Sequence, residues 1–190
     1  MKKGIIALLL MSQFAHLHAQ KKSALGEYFL LQGQLLEVNP FTQEEGKAAF
    51  TQVKVYQGDE IYVAFDSKSS GKYEFYLPLG HLYTVAYGGG KYVNKKVLVD
   101  ATASPHEKKP RMMQLDIGLF APIEGASFPV LEQPYVKIAY SKEYDDFVPD
   151  FDHTETMMKQ LDKEIKLAKK SRSKSSRPAA ALPKESDKDR

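Results

Sequence analysis

Cysteine is absent from all 190 residues. That excludes disulfides, thiolate metal sites, a cysteine nucleophile and lipidation at a processed N-terminal cysteine, so packing must hold the fold together. A surplus of one charge sign is also lacking. The formal net charge is only +3, part of it in Lys2 and Lys3, and nucleic-acid binding by the whole domain is not implied. No apolar run reaches the roughly 20 residues that cross a bilayer as a helix, so no transmembrane span is expected. Histidine is scarce outside the N-terminal leader. His81, His106 and His153 do not open the His-x-x-Glu spacing of a zinc site and read as solvated or turn residues. A Gly-x-Ser-x-Gly elbow and a Gly-x-x-x-x-Gly-Lys loop are both missing. Gly88-Gly89-Gly90 is not followed by a helical pattern, so it reads as a turn and not as a phosphate cradle. The chain is expected to carry no catalytic residue, no cofactor and no metal.

What is present begins with an export signal. Lys2 and Lys3 form a positive start, Ile5 to Met11 an apolar core, and Ala19 a small residue before Gln20, so residues 1–19 read as a signal peptide and the mature chain as exported, to the periplasm or cell envelope. An uncleaved anchor is the alternative. With 43% hydrophobic residues and 27% charged, the remainder can form one domain with its own core.

The stretch from Gly71 to Tyr87 organises that domain. Tyr73, Phe75 and Leu77 alternate with Lys72, Glu74 and Tyr76, the period of a strand with one buried face; Pro78 and Gly80 stop it, and Tyr83, Val85 and Tyr87 resume it. Before it, Tyr28 to Val38 reads as a strand in which Gly33 marks a bulge or close backbone approach, ended by Asn39-Pro40. Thr42 to Lys47 reads as a loop. Val53 and Val55 pair across Gly58-Asp59 with Ile61, Val63 and Phe65 as a hairpin. After the glycines, Val93, Val97 and Val99 share a face with the stem of Lys95. Met113 to Leu119 is read as one strand, residues 122–134 as a loop covering a sheet edge, and Tyr135 to Tyr140 as a last strand. The expected fold is mainly β, an antiparallel sandwich over residues 28–140. From Thr154 to Lys170 the period changes: Met157, Met158, Leu161, Ile165 and Ala168 recur at three and four residues, predicting an amphipathic helix over 154–170 with Thr154 as N-cap. Residues 171–190 hold too little apolar content to offset the entropy of ordering and read as a disordered basic tail.

From Leu31 to Asp100 the pattern resembles the carboxypeptidase regulatory-like domain, a prealbumin-like (transthyretin-like) β-sandwich of exported Bacteroidota proteins. The resemblance lies in Gly33, in Val53 and Val55, in Gly71, Tyr73, Phe75, Leu77 and Pro78, and in Gly80, Tyr83 and Val85. It implies a prealbumin-like sandwich with a family-like core at 31–100, and a non-catalytic accessory role. Two features depart from the family: Ser69-Ser70-Gly71 stands where Asp-Gly is usual, and everything after Ala101 lies outside the module.

Two segments could carry contacts. Glu143, Asp145, Asp146, Asp150 and Asp152, interleaved with Tyr144, Phe147 and Phe151, form an acidic-aromatic linker over 141–153. The Asp-x-Asp-x-Asp-Gly pattern of a dedicated calcium loop is missing, leaving a polar loop with aromatic anchors or a docking strip. The basic run Lys166, Lys169, Lys170, Arg172, Lys174 and Arg177 suits anionic lipid or acidic glycan, or is a solvated tail. The expected function is a non-enzymatic exported binding or scaffold module of the cell envelope. It would engage a protein partner through a sheet edge, through Tyr144, Asp145, Asp146, Phe147 and Phe151, and through Met157, Leu161, Lys169, Lys170 and Arg172 on the helix and tail. The competing reading is a small-ligand carrier or hydrolase with a pocket lined by Tyr83, Tyr87 and Tyr92.

Overall fold

The computed structural model describes residues 28–103 and 111–175. The signal expected at 1–19, His106, and the tail from residue 176, Arg177 included, lie outside the described residues.

Strand β1 (Tyr28–Val38) is the spine of one sheet. β5 (Lys72–Pro78) pairs antiparallel with its first half and β2 (Glu45–Lys47) with its last residues. β8 (Arg111–Gln114) and β9 (Ile117–Leu119) pair with it in parallel along the opposite edge. The second sheet runs in the order β11, β10, β7, β6, β3, β4, from β3 (Gln52–Gln57), β4 (Glu60–Asp66), β6 (Leu82–Gly89), β7 (Tyr92–Asp100), β10 (Pro134–Ser141) and β11 (Asp146–Pro149). The fold is therefore the expected mainly β, two-sheet sandwich, not closed into a barrel, with a C-terminal helix. Its sheets are mixed and not purely antiparallel, because β10 also pairs in parallel with β7. Alternation reports which face a side chain takes and says nothing of strand direction.

The alternating residues do what their period requires. Tyr73, Phe75 and Leu77 from β5, Val53 and Val55 from β3, Tyr83, Val85 and Tyr87 from β6 and Val97 and Val99 from β7 are all buried in one core between the sheets. The tyrosines carry their hydroxyls in with partners: Tyr83 donates to the Pro78 carbonyl at 3.0 Å and Tyr73 to the Leu115 carbonyl at 2.5 Å. Leu115 lies where the run read as one strand divides into β8 and β9, and Gly33 sits directly against it. A Cβ added at Gly33 would come 2.0 Å from the Leu115 carbonyl oxygen, so Gly33 marks the close backbone approach its place in a strand suggested.

A second, smaller core lies under the helix. The segment read as an edge-covering loop folds into a short 3-10 turn at Pro129–Glu132 and buries Ile123, Phe128, Val130 and Leu131 against Phe120. Helix α1 (Phe151–Ser175) lays Met157, Leu161 and Ala168 on that cluster, with Ile165 partly buried beside them. The helix begins earlier than 154. Asp150, not Thr154, is its cap: the Asp150 carboxylate accepts from the His153 amide at 2.9 Å, and the Thr154 hydroxyl donates back to the Asp150 carbonyl at 2.7 Å. It also runs on to Ser175, so the first residues of the expected tail are helical.

Candidate interaction surface

The acidic-aromatic linker is largely turned inward. Phe147, in β11, is buried in the main core with its ring centroid 4.4 Å from that of Phe29. Arg111, buried at the start of β8, donates to the Asp145 carbonyl and, at 3.0 Å, to the Asp145 carboxylate, while the Asp146 carboxylate lies 3.7 Å away. Tyr140 donates to the same Asp145 carboxylate at 2.5 Å, and the Arg111 guanidinium sits 5.3 Å from the Tyr140 ring centre. Asp145 reaches this position with a left-handed backbone, φ +48°. The pair of acids is thus the counter-charge of a buried arginine, tying β11 to β8 and closing one side of the sandwich. Tyr144 and Phe151 alone among the linker aromatics remain outward, at 66% and 73% exposure.

The helix residues divide in the same way. Met157 and Leu161 are buried in the second core and present nothing to a partner. Lys169 and Arg172 lie on the exposed side; the Lys169 ammonium is 5.8 Å from the Phe41 ring centre, and Lys170 is exposed as well. Arg172 lines an open groove of about 590 Å³ with Phe41, Glu44, Glu45, Ile123 and Glu124. Glu37, at the same groove, accepts from the Lys91 ammonium at 2.9 Å and the Tyr92 hydroxyl at 2.7 Å. These bonds, that from Lys91 first, hold its carboxyl below the usual carboxylate range, so it is not a base poised near neutrality. Among the described residues, histidine, aspartate and glutamate nowhere gather in threes that could hold a metal ion.

The three tyrosines of the competing pocket are packed and do not line a cavity. Tyr83 and Tyr87 are fully buried and Tyr92 is 4% exposed, and burial raises all three hydroxyls above the ordinary tyrosine range, Tyr83 to about 12. Close to Tyr92 in β7, Lys95 is buried with its ammonium 4.3 Å from the Tyr135 ring centre and 5.9 Å from that of Phe120. Desolvation lowers that amine to about 8.

One surface that sequence reasoning named only as a sheet edge stands out in the geometry. β4 ends the second sheet and β5 ends the first, and the two lie together, the Phe65 and Phe75 rings 5.7 Å apart. β5 carries Lys72, Glu74 and Pro78, the charged and proline guards expected on an edge. β4 has no lysine, no proline and no charge between Glu60 and Asp66, and it exposes Ile61 (55%) and Tyr62 (42%). Its one protective feature is a bulge where the register with β3 shifts between Val55 and Tyr56.

Comparison with known proteins adds little. No protein-family model matches the chain, and no curated protein sequence does. Among solved structures it is similar to the Bacillus anthracis TIE protein, with a TM-score of 0.38 and 13% identity over 50% of this chain and 17% of that one. It is also similar to 3-chlorocatechol 1,2-dioxygenase from Rhodococcus opacus 1CP, with a TM-score of 0.36 and 8% identity over 53% of this chain and 62% of that one. The chain spans less than two thirds of either protein, and likeness of this degree carries no argument about chemistry. Among the described residues no helix is long and apolar enough to cross a membrane, which leaves strand-built membrane proteins unaddressed.

Proposed function

We propose that this chain is a non-enzymatic, exported module of the cell envelope, built on a carboxypeptidase regulatory-like sandwich, that binds another protein by accepting an extended segment along β4. The observation that carries the reading is the unguarded β4 edge: a row of backbone donors and acceptors with Ile61 and Tyr62 exposed beside it. The other expected contact surfaces support it by elimination. Asp145, Asp146 and Phe147 are engaged within the fold, and Met157 and Leu161 are covered. Tyr144, Phe151, Lys169, Lys170 and Arg172 remain exposed as secondary contacts, with anionic lipid or glycan suited to the basic ones.

The test uses the full chain with a photo-crosslinking residue at Ile61 or at Met158, which is 51% exposed on α1, introduced into an envelope preparation. Adducts to one protein from position 61 and not from 158 support strand addition at β4. Adducts from 158 alone would relocate the interface to the helix, and turnover of any small substrate by the purified chain would end the non-enzymatic reading.

A further inference from the structure

The strand that β4 receives can be described chemically. We infer that it alternates apolar with basic residues, an inference that rests on the strand-addition reading above and deepens it. A strand laid against β4 places its side chains alternately on the two faces of the sheet. On the inner face lie Val63 and Phe65, paired with the core residues Val55 and Val53 and themselves only half-buried. Apolar side chains added there extend the core over the seam where Phe65 meets Phe75. On the outer face lie Ala64 and Asp66, paired with Lys54 and Gln52. Beyond the bulge Glu60 pairs with Gln57, which shares the face of Val53 and Val55, so Glu60 stands at the inner-face end of the edge.

The edge is acidic at both ends. Asp59, Glu60 and Asp66 are exposed, and none of them takes part in an ion pair among the described residues. Lys54 lies one strand inward, and Lys68 stands beyond Asp66 in the turn towards β5, so the surplus of acid is greatest at Asp59 and Glu60. A basic side chain across from Asp66 on the outer face, and another at the end of the strand where it passes the bulge and reaches Asp59 and Glu60, complement these charges, whereas acidic ones are repelled. The same charges disfavour a second copy of this chain. Antiparallel self-pairing about Val63 brings the Asp59–Glu60 end of each copy to the Asp66 end of the other, like charge near like at both ends.

The experiment uses the full chain, isotope-labelled, with three heptapeptides in which valine alternates with lysine, threonine or glutamate. Hydrogen exchange of the β4 amides reports strand addition, and titration reports affinity. The lysine peptide is expected to slow exchange across β4 and to bind about fivefold more tightly than the threonine peptide, with the glutamate peptide weakest. Salt should shrink that order. In the double variant Glu60→Lys, Asp66→Lys, which changes only exposed residues, the order should invert. Equal binding of all three peptides, or preference for glutamate in the native chain, overturns the basic-partner inference and leaves strand addition intact. No protection of β4 by any peptide overturns strand addition itself. Concentration-dependent protection of β4 without peptide overturns the inference in favour of a second copy.

Discussion

Replacing Lys95 with methionine should stabilise this protein, and the gain should fade as pH rises. The Lys95 ammonium is buried at 6% exposure, without a carboxylate among the charges that act on it, and burial alone lowers its pKa from 10.5 to about 8. At about 1.4 kcal/mol per unit, holding the protonated amine in the fold at neutral pH costs up to about 3 kcal/mol. The two aromatic rings it faces return about 1 kcal/mol by cation–π attraction. A net cost of about 2 kcal/mol remains, and Lys95→Met removes it while keeping the apolar stem in place. The linkage has a definite sign. Between pH 8 and 10.5 the unfolded chain keeps a proton that the folded chain has released, so the stability of the native protein rises with pH across that window. The variant has no such proton to release. Urea denaturation of both chains at pH 7 and pH 10 should therefore show the variant ahead by about 2 kcal/mol at pH 7, with more than half of that lead gone at pH 10. Burial raises the Tyr73 and Tyr87 hydroxyls, so alkaline pH destabilises both chains alike, and the tyrosine contribution cancels in the difference. A variant less stable than the native chain at pH 7, or a lead that does not change with pH, would refute the claim that the amine is held without a compensating charge.

Other substitutions test the joints of the fold. Gly33→Ala drives a methyl against the Leu115 carbonyl, backbone that cannot swing away, and should cost about 2 kcal/mol or more in urea denaturation. Arg111→Ala removes the cation that Asp145 and Asp146 surround, and should cost about 3 kcal/mol and speed hydrogen exchange across residues 141–149; Arg111→Lys should recover only part of it, since one ammonium cannot reproduce the forked contact. Met157→Glu and Met158→Glu differ by one position. The first buries a carboxylate in the second core and should cost about 3 kcal/mol or undock the helix, while the second, on the exposed side, should stay within about 0.5 kcal/mol. Equal effects at the two positions would mean that α1 does not rest on the sandwich through this face.

The strands were legible because their period is local. Tyr73, Phe75 and Leu77 declare one buried face within five residues, and all three are in the core. The boundaries that failed depended on distant groups. The division between β8 and β9 comes from Tyr73 donating to Leu115, 42 residues away, and from Gly33 touching the same carbonyl, neither of which appears in the alternation of Met113 to Leu119. Asp150 and Thr154 are both good capping residues, and only the position of the His153 amide decides between them. The acidic linker looked like a free docking strip for the same reason: its counter-charge, Arg111, is 34 residues upstream of Asp145.

The β4 edge lies beyond sequence reach for a more general cause. Alternation assigns residues to the faces of a sheet, whereas binding by strand addition depends on which strand is last in the hydrogen-bonded order, and that order is set by non-local pairing. The hairpin of β3 and β4 was readable from Gly58-Asp59, but nothing in it says that β6 takes the other side of β3 and leaves β4 outermost. Once that is known, the composition of β4 acquires meaning. A strand such as Glu60 to Asp66, with charge only at its ends, is ordinary in the middle of a sheet and a liability at its rim, where lysine, proline or a cover normally prevents indiscriminate pairing. β5, beside it, has such guards at Lys72, Glu74 and Pro78. Two neighbouring edges under the same risk of aggregation, only one of them protected by its side chains, are what a fold would present if the other edge were kept open for a partner.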